Sequence, residues 1–468
     1  PLLDVDGDSS DWIEIHNPLA SDVLMDGWYL TDDIDNPTKW RFPAVTVDSG
    51  GYLVVFASGK DLNDPAGELH ANFKLSAEGK YLALVMPDTT TVAFAYAPEF
   101  PEQVAGVSFG VADDTGDQRY FDVPTPGTAN PPSGFISIVG DTQFDVDRGI
   151  YEDPFELIIT SVTPGATIRY TLDMSEPTMS NGQTYVPGSP IAISSTTCLR
   201  ARAYIDDWLP SNIDTQTYIF LDDIISQPTN PPGFPSSWRN ATADYDFDPA
   251  VAVRYTEQEL KDALLSLPSL SLVTDMDNLF DNSTGIYDNP RNEGPAWERP
   301  VSAEWIDHTG GPEFQVNCGI RIQGNAARNV PKKPFRLLFK SVYGDSKLEF
   351  PMFGDAVDAA KSFDTIILRS NGQGINYGAK TQITDENGRR ALLDMDTPQA
   401  HGTYVHLYVN GIYWGLYNPS ERPQASFCEN YIGGIKEEWD VNNGNTAIDG
   451  TYAPFDAMLL QVRGGPAN

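Results

Sequence analysis

The alternation of apolar and polar positions is the clearest signal in this chain, and it is sharpest in the last two hundred or so residues. Val316, Cys318, Ile320 and Ile322 alternate with Asn317, Gly319, Arg321 and Gln323. A period of two predicts a half-buried strand. Phe335, Leu337 and Phe339 alternate with Arg336 and Lys340 in the same way. The join between them, Gly324 to Pro334, is polar and proline-bearing, so it predicts a loop. A second hairpin is predicted by YVHLYVNGIYWGLYN (404–418), turned at Asn410 and Gly411. Further strands are predicted by SLSLVTD (269–275), WERPVSAEW (297–305) and ILRSNGQG (367–374), the last running into a Gly/Asn loop. Helical periodicity is clear once. Thr256 and Glu259 form a capping box ahead of Leu260, Ala263, Leu264 and Leu267, and Pro268 stops the helix.

Earlier in the chain the pattern is different. Short strands at 12–15, 28–30, 52–56 and 81–85 are separated by Gly, Pro, Asn and Asp, which predicts an all-β segment over 1–130. A proline-rich joint, ANPPSG (129–134), opens a second β module over 131–223. Its Tyr170, Tyr204 and Tyr218 are expected in its core. Residues 224–268 read as a linker holding the one helix, because PTNPPGFPSSW (228–238) lacks periodicity. The remainder, 269–468, has few long helical runs and predicts an α+β class.

Composition narrows what such a chain can do. Its 468 residues exceed one core and suit three domains. With 40% hydrophobic and 11% aromatic residues it is globular. The 66 acidic against 30 basic residues give a net charge of −36, which argues against nucleic-acid partners. That charge suits a salty or calcium-containing exterior. There is no run of 18 apolar residues to span a membrane. The three cysteines, Cys198, Cys318 and Cys428, suggest neither a metal pair nor a disulfide framework. The opening Pro1, with neither a start methionine nor a signal peptide, fits a processed or partial form of a longer protein.

Against this acidity, 321–340 carries six basic residues and no acidic one: Arg321, Arg328, Lys332, Lys333, Arg336 and Lys340. Arg321, Arg336 and Lys340 would project from one face of a hairpin. Such a face attracts phosphate, for which guanidinium is a planar fork of donors. The competing reading is a basic hairpin that pairs with surrounding carboxylates. At the N-terminal end, Asp4, Asp6, Asp8 and Asp11 in DVDGDSSD alternate as Ca²⁺ ligands do on a tight loop. The bidentate Glu of such loops is missing, and a solvated turn competes with the metal reading.

Three family resemblances add to this. DGDSSDWIEIHN (6–17), DGWYLTDD (26–33), KWRFP (39–43) and GGYLVVFASGKD (50–61) resemble a lamin-tail domain, an immunoglobulin-like sandwich of many secreted bacterial proteins. TPGATIRYTLDMSEPT (163–178), TTCLRARAY (196–204) and TQTYIFLDD (215–223) resemble the small sandwich at the C-terminus of chitobiase-type enzymes. WERP (297–300), GIRIQGNAARNVPKKPFRL (319–337), FDTIILRSNG (363–372), HGTYVHLYVNGIYWGLYNPSERP (401–423) and EEWDV (437–441) resemble the CotH family of atypical protein kinases. Together they imply two N-terminal all-β immunoglobulin-like sandwiches followed by an α+β kinase-like domain.

The CotH resemblance implies a phosphotransferase using ATP and Mg²⁺, since such an enzyme needs cations for the phosphates and carboxylates for the metal and the attacking hydroxyl. It implies that Arg321, Lys333 and Arg336 face the nucleotide phosphates, with Asn325 and Arg328 in the loop above and Arg369 beside them. Glu421 is the leading catalytic carboxylate, with a salt bridge to Arg422 or Arg299 as its structural alternative. The resemblance makes Asp385 the second candidate catalytic carboxylate, as a metal ligand or as the support of one. Two departures stand out. Gln424 occupies a position where the family pattern is acidic, and the family's fold continues past EEWDV, so 269–468 is expected to be the N-terminal part of such a domain. Three functions remain open: an exported surface kinase acting on Ser or Thr of surface proteins, a structural or adhesive self-assembling matrix protein, and a polysaccharide binder.

Overall fold

A computed structural model describes the chain except residues 1, 3, 6–9, 113–115, 240, 355–357, 371–382, 445 and 464–468. It divides into two compact units. One holds 1–139 with 205–210, and the other 140–204 with 211–468.

The first unit is a β-sandwich. One sheet pairs Trp12–His16 with Tyr52–Phe56 and Leu69–His70, and another orders Trp40–Arg41, Tyr29–Thr31, Leu82–Val85 and Val92–Tyr96. Its core gathers Met25, Leu30, Trp40, Phe42, Val55, Leu69 and Phe73. The alternating apolar side chains of each strand meet across the gap, which is what removes them from water.

The second unit holds both the second sandwich and the C-terminal domain. The sandwich centres on a five-stranded sheet containing Thr167–Thr171, Thr197–Tyr204 and Asp214–Phe220. Tyr218 is fully buried there, whereas Tyr170 and Tyr204 are half-buried. All three cysteines are free.

The C-terminal domain is a closed seven-stranded barrel. Its strands are β1 (Ser269–Val273), β2 (Arg299–Ile306), β3 (Phe314–Ile322), β4 (Phe335–Leu338), β5 (Thr365–Arg369), β6 (Val405–Val409) and β7 (Ile412–Glu421). The order is β1-β2-β3-β4-β5-β7-β6, and parallel pairing of β6 with β1 closes it. Both predicted hairpins are present. The β6–β7 turn uses positive φ at Asn410 (52°) and Gly411 (76°), the geometry that a tight two-residue hairpin requires. The interior is filled by Leu270, Val301, Cys318, Ile320, Phe335, Leu337, Ile366, Leu368, Leu407 and Trp414.

The segment 224–268 is more than a linker. Trp238 and Tyr245 are buried in the barrel core, where the Trp238 indole N–H donates to the Tyr245 hydroxyl at 2.9 Å. Within it lies α1 (Glu257–Leu264), with the predicted capping box in place. Two further helices flank the barrel, α2 (Thr384–Leu393) and α3 (Ala425–Tyr431).

The second sandwich docks on the outside of β1 and β2 through a buried polar cluster. Glu304 is fully buried and accepts from the Thr217 amide at 2.9 Å and from the Thr217 hydroxyl. The Thr217 and Ser271 hydroxyls lie 2.8 Å apart, and the Arg148 guanidinium lies 3.6 Å from the carboxylate. Burial outweighs these partners and raises the Glu304 carboxyl from 4.5 to about 7.

Candidate functional site

Strand register builds the site. Arg321 on β3 sits directly opposite Arg336 on β4, and Arg336 opposite Ile367 on β5. Because Ile320, Ile322, Phe335 and Leu337 point inward, both arginines point outward. Arg422 follows the end of β7, the strand that pairs with β5. Three guanidinium groups thus share the outer barrel wall beside α3.

They are not equivalent. Arg321 is clamped by Glu298, with its Nε and Nη2 at 2.7 and 2.5 Å from Oε2. Lys340 Nζ donates to the same carboxylate at 2.9 and 3.0 Å. Burial of Glu298 works to raise its carboxyl, but Lys340 and Arg321 outweigh it and hold the group below its ordinary range.

Arg336 donates from Nε to the Thr365 hydroxyl at 2.9 Å, and Arg422 from Nη1 to Gln424 at 2.8 Å. Among the described residues, neither has a carboxylate at ion-pair distance. Burial, helped by the neighbouring charges of Arg422 and Arg321, pushes Arg336 down to about 9. Arg422 is lowered too, by burial first, with Asp449 opposing. Asp449 itself accepts from the Ala425 amide at the start of α3, at 2.8 Å. Two largely desolvated cations with no carboxylate at ion-pair distance among the described residues form a place where an anion is stabilised.

The other expected site residues lie elsewhere. Lys333 belongs to the loop before β4, and its side chain is buried. Its Nζ stands 4.2 Å from the Tyr287 ring centroid and donates to the Val330 carbonyl at 3.2 Å, so it is a cation on an aromatic face. Burial pushes it down to about 8. Arg328 is tied to the Gly324 and Pro290 carbonyls and to Glu293. Asn325 is exposed and precedes the short 3-10 turn Ala326–Asn329.

Arg369 ion-pairs with the exposed Asp385 at 3.2 Å. The Gly/Asn loop expected after it, 371–374, lies outside the described residues. Glu421 pairs with neither Arg422 nor Arg299. Its Oε2 accepts from the His401 amide at 2.8 Å and lies 2.9 Å from His401 Nδ1, while Oε1 accepts from the Tyr431 hydroxyl at 2.7 Å.

Two of the four N-terminal aspartates fall among the described residues. The Asp4 carboxylate meets the Lys60 ammonium at 2.7 Å, Asp11 is exposed, and Asp6 and Asp8 lie outside the described residues. No group of three His, Cys, Asp or Glu positioned for a metal ion occurs among the described residues.

Sequence reasoning missed Arg422, Glu298 and Glu386 as parts of this region. Glu386 on α2 is buried and bonded to Arg389 and Arg390 at 2.5 and 2.7 Å, with Asn418 Nδ2 at 3.3 Å. The motif WERP (297–300), which flanks the basic hairpin in the CotH resemblance, contains Glu298 but gives it no task.

Fold and site define a multidomain β protein whose last domain is a closed barrel with an arginine cluster on its wall. Comparison with protein families gives the domains their names. Residues 3–98 match the Lamin Tail Domain, 157–218 match Fn3 associated, and 320–448 match CotH kinase protein. The chain therefore carries a lamin tail domain at its N-terminal end and a CotH domain in its barrel part. No curated protein matches the chain.

Proposed function

We propose that the CotH domain binds the phosphate of a nucleotide on Arg336 and Arg422, and that the protein is an exported surface kinase acting on Ser or Thr of surface proteins. The observation that supports this is the pair of desolvated guanidinium groups without a carboxylate partner, beside the Thr365 hydroxyl. ATP phosphates suit these donors in charge and in geometry. Mg²⁺ finds no comparable set of carboxylates among the described residues, so no step is derived through it. The chain's own contribution is to bind and orient a phosphoryl group.

A second reading is favoured by Glu421. Its carboxylate is already bonded to His401 and Tyr431, which suits a structural post as well as a catalytic one. On that reading the chain is a structural or adhesive matrix protein, its sandwiches contacting surface proteins or polysaccharide.

Incubation with labelled ATP and Mg²⁺ separates the two. The kinase reading expects label on the protein or on a surface-protein substrate, lost in Arg336→Gln. Wild-type protein that takes and transfers no label contradicts it.

A further inference from the structure

Four basic side chains crowd one wall of the barrel, yet they are not four anion ligands. Glu298 divides them. One carboxylate takes both Nε and Nη2 of Arg321 and also Nζ of Lys340. Its seat is built into the strand beside it. A Cβ on Gly319 would stand 2.8 Å from Glu298 Oε1 and 2.7 Å from the Tyr343 ring, so only glycine leaves room for the carboxylate there. The Tyr343 hydroxyl is raised by burial and by this same carboxylate. Glu298 is therefore seated from three sides and is no incidental surface partner.

What remains is Arg336 and Arg422. Each spends one N–H on a neutral side chain, Thr365 or Gln424, and keeps the rest of its fork. The cleft beside Arg422, lined by Thr365, Glu421, Gln424 and Ser426, has a volume of about 10 Å³. It is a shallow surface depression, far below the several hundred Å³ of a pocket that engulfs a whole nucleotide, so a ligand there is held from one side. Arg422 lines this cleft and Arg336 reaches its Thr365, and two guanidinium forks match the charge and the oxygens of one phosphoryl group.

Building on the phosphate reading above, we propose that Glu298 is the specificity-determining residue of this site: by neutralising Arg321 and Lys340 it restricts the site to a single phosphoryl group, either free or terminal on a larger ligand. Glu298 does not touch the ligand. It acts by withholding two cations that would otherwise extend the site along a polyphosphate.

The test is calorimetric binding of inorganic phosphate, pyrophosphate and ATP to the full chain. Wild-type protein binds phosphate and pyrophosphate with similar affinity. In Glu298→Gln the freed Arg321 can grip a second phosphoryl group, so the preference for pyrophosphate over phosphate rises about tenfold, the worth of one good charge-assisted pair. ATP follows pyrophosphate if its tail runs along this wall, and follows phosphate if only its terminal group is seated.

The triple variant Glu298→Gln/Arg321→Gln/Lys340→Gln, which removes both freed cations, returns the preference to the wild-type value, which a merely destabilised fold would not do. Gly319→Ala, which displaces the carboxylate without removing it, shifts the preference in the same direction as Glu298→Gln and serves if that variant folds poorly. An unchanged preference in both single variants, with phosphate still bound, overturns the role of Glu298. Wild-type protein that binds none of the three anions overturns the phosphate reading itself.

Discussion

Replacing Glu304 by Gln tests the buried cluster that fastens the second sandwich to the barrel. Glu304 is fully buried, and its carboxyl is raised from 4.5 to about 7, chiefly by burial. A rise of that size corresponds to roughly 3 kcal/mol between the charged and neutral forms. Because the folded state holds the proton more tightly than the unfolded one, the stability linked to it is complete below pH 4.5 and is lost as pH rises through about 7. Gln is close in shape and does not titrate. Chemical denaturation of wild type and variant across the range from about pH 4.5 to 8 should therefore show the wild type losing about 3 kcal/mol relative to the variant. The comparison cancels carboxylates elsewhere. Cys198, which also faces Glu304, is pushed up to about 12 and stays neutral throughout. The Arg148 guanidinium is close by and reduces the shift, an effect already contained in the value of about 7. A difference that stays constant with pH would refute the reasoning, since it would mean that Glu304 titrates like a carboxylate in water.

Three other substitutions probe separate parts of the barrel domain. Gly402→Ala places a Cβ against the Glu386 carboxylate and 2.7 Å from Arg389 Nη2, so thermal melting should report a loss of about 3 kcal/mol as the buried pair is forced apart. Asn410→Ala removes a left-handed turn residue whose side chain bonds the Thr274 amide and carbonyl, each at 2.9 Å; the cost should be about 2 kcal/mol in denaturant titration. Thr256→Ala deletes the cap of α1 and should cost about 1 kcal/mol, with faster amide exchange confined to the first turn of that helix.

The β3–β4 hairpin was legible because its outer positions, Arg321 and Arg336 among them, stay partly exposed while the inner ones are buried, and that writes a period of two into the sequence; β1 and β6 are buried on both sides. The hairpin at Asn410 was legible for a different reason: few residue pairs accept positive φ twice in succession. Closure of the barrel was not legible. It rests on parallel pairing of β1 with β6, segments far apart in the chain, and no local pattern encodes such a partner. Trp238 and Tyr245 were read as linker because irregular segments carry no periodicity even when their aromatics fill a core.

The site divides in the same way. The outward direction of Arg321 and Arg336 followed from alternation, and their direct opposition followed from the hairpin. Lys333 is only three residues from Arg336, but it precedes the start of β4, so alternation does not apply and its side chain turns to Tyr287. Arg422 comes from a strand whose place beside β5 is set by the barrel alone. Glu298 was visible as part of WERP, but its task was not, because a carboxylate's partners depend on register.

The central claim is that Arg336 and Arg422 together hold a phosphoryl group. Calorimetric titration of the full chain with ATP, in wild type and in Arg336→Gln and Arg422→Gln, tests it most directly. The account predicts saturable binding in the wild type, weakened at least about tenfold by either substitution, with melting temperatures little changed. Equal affinity in all three proteins would contradict it.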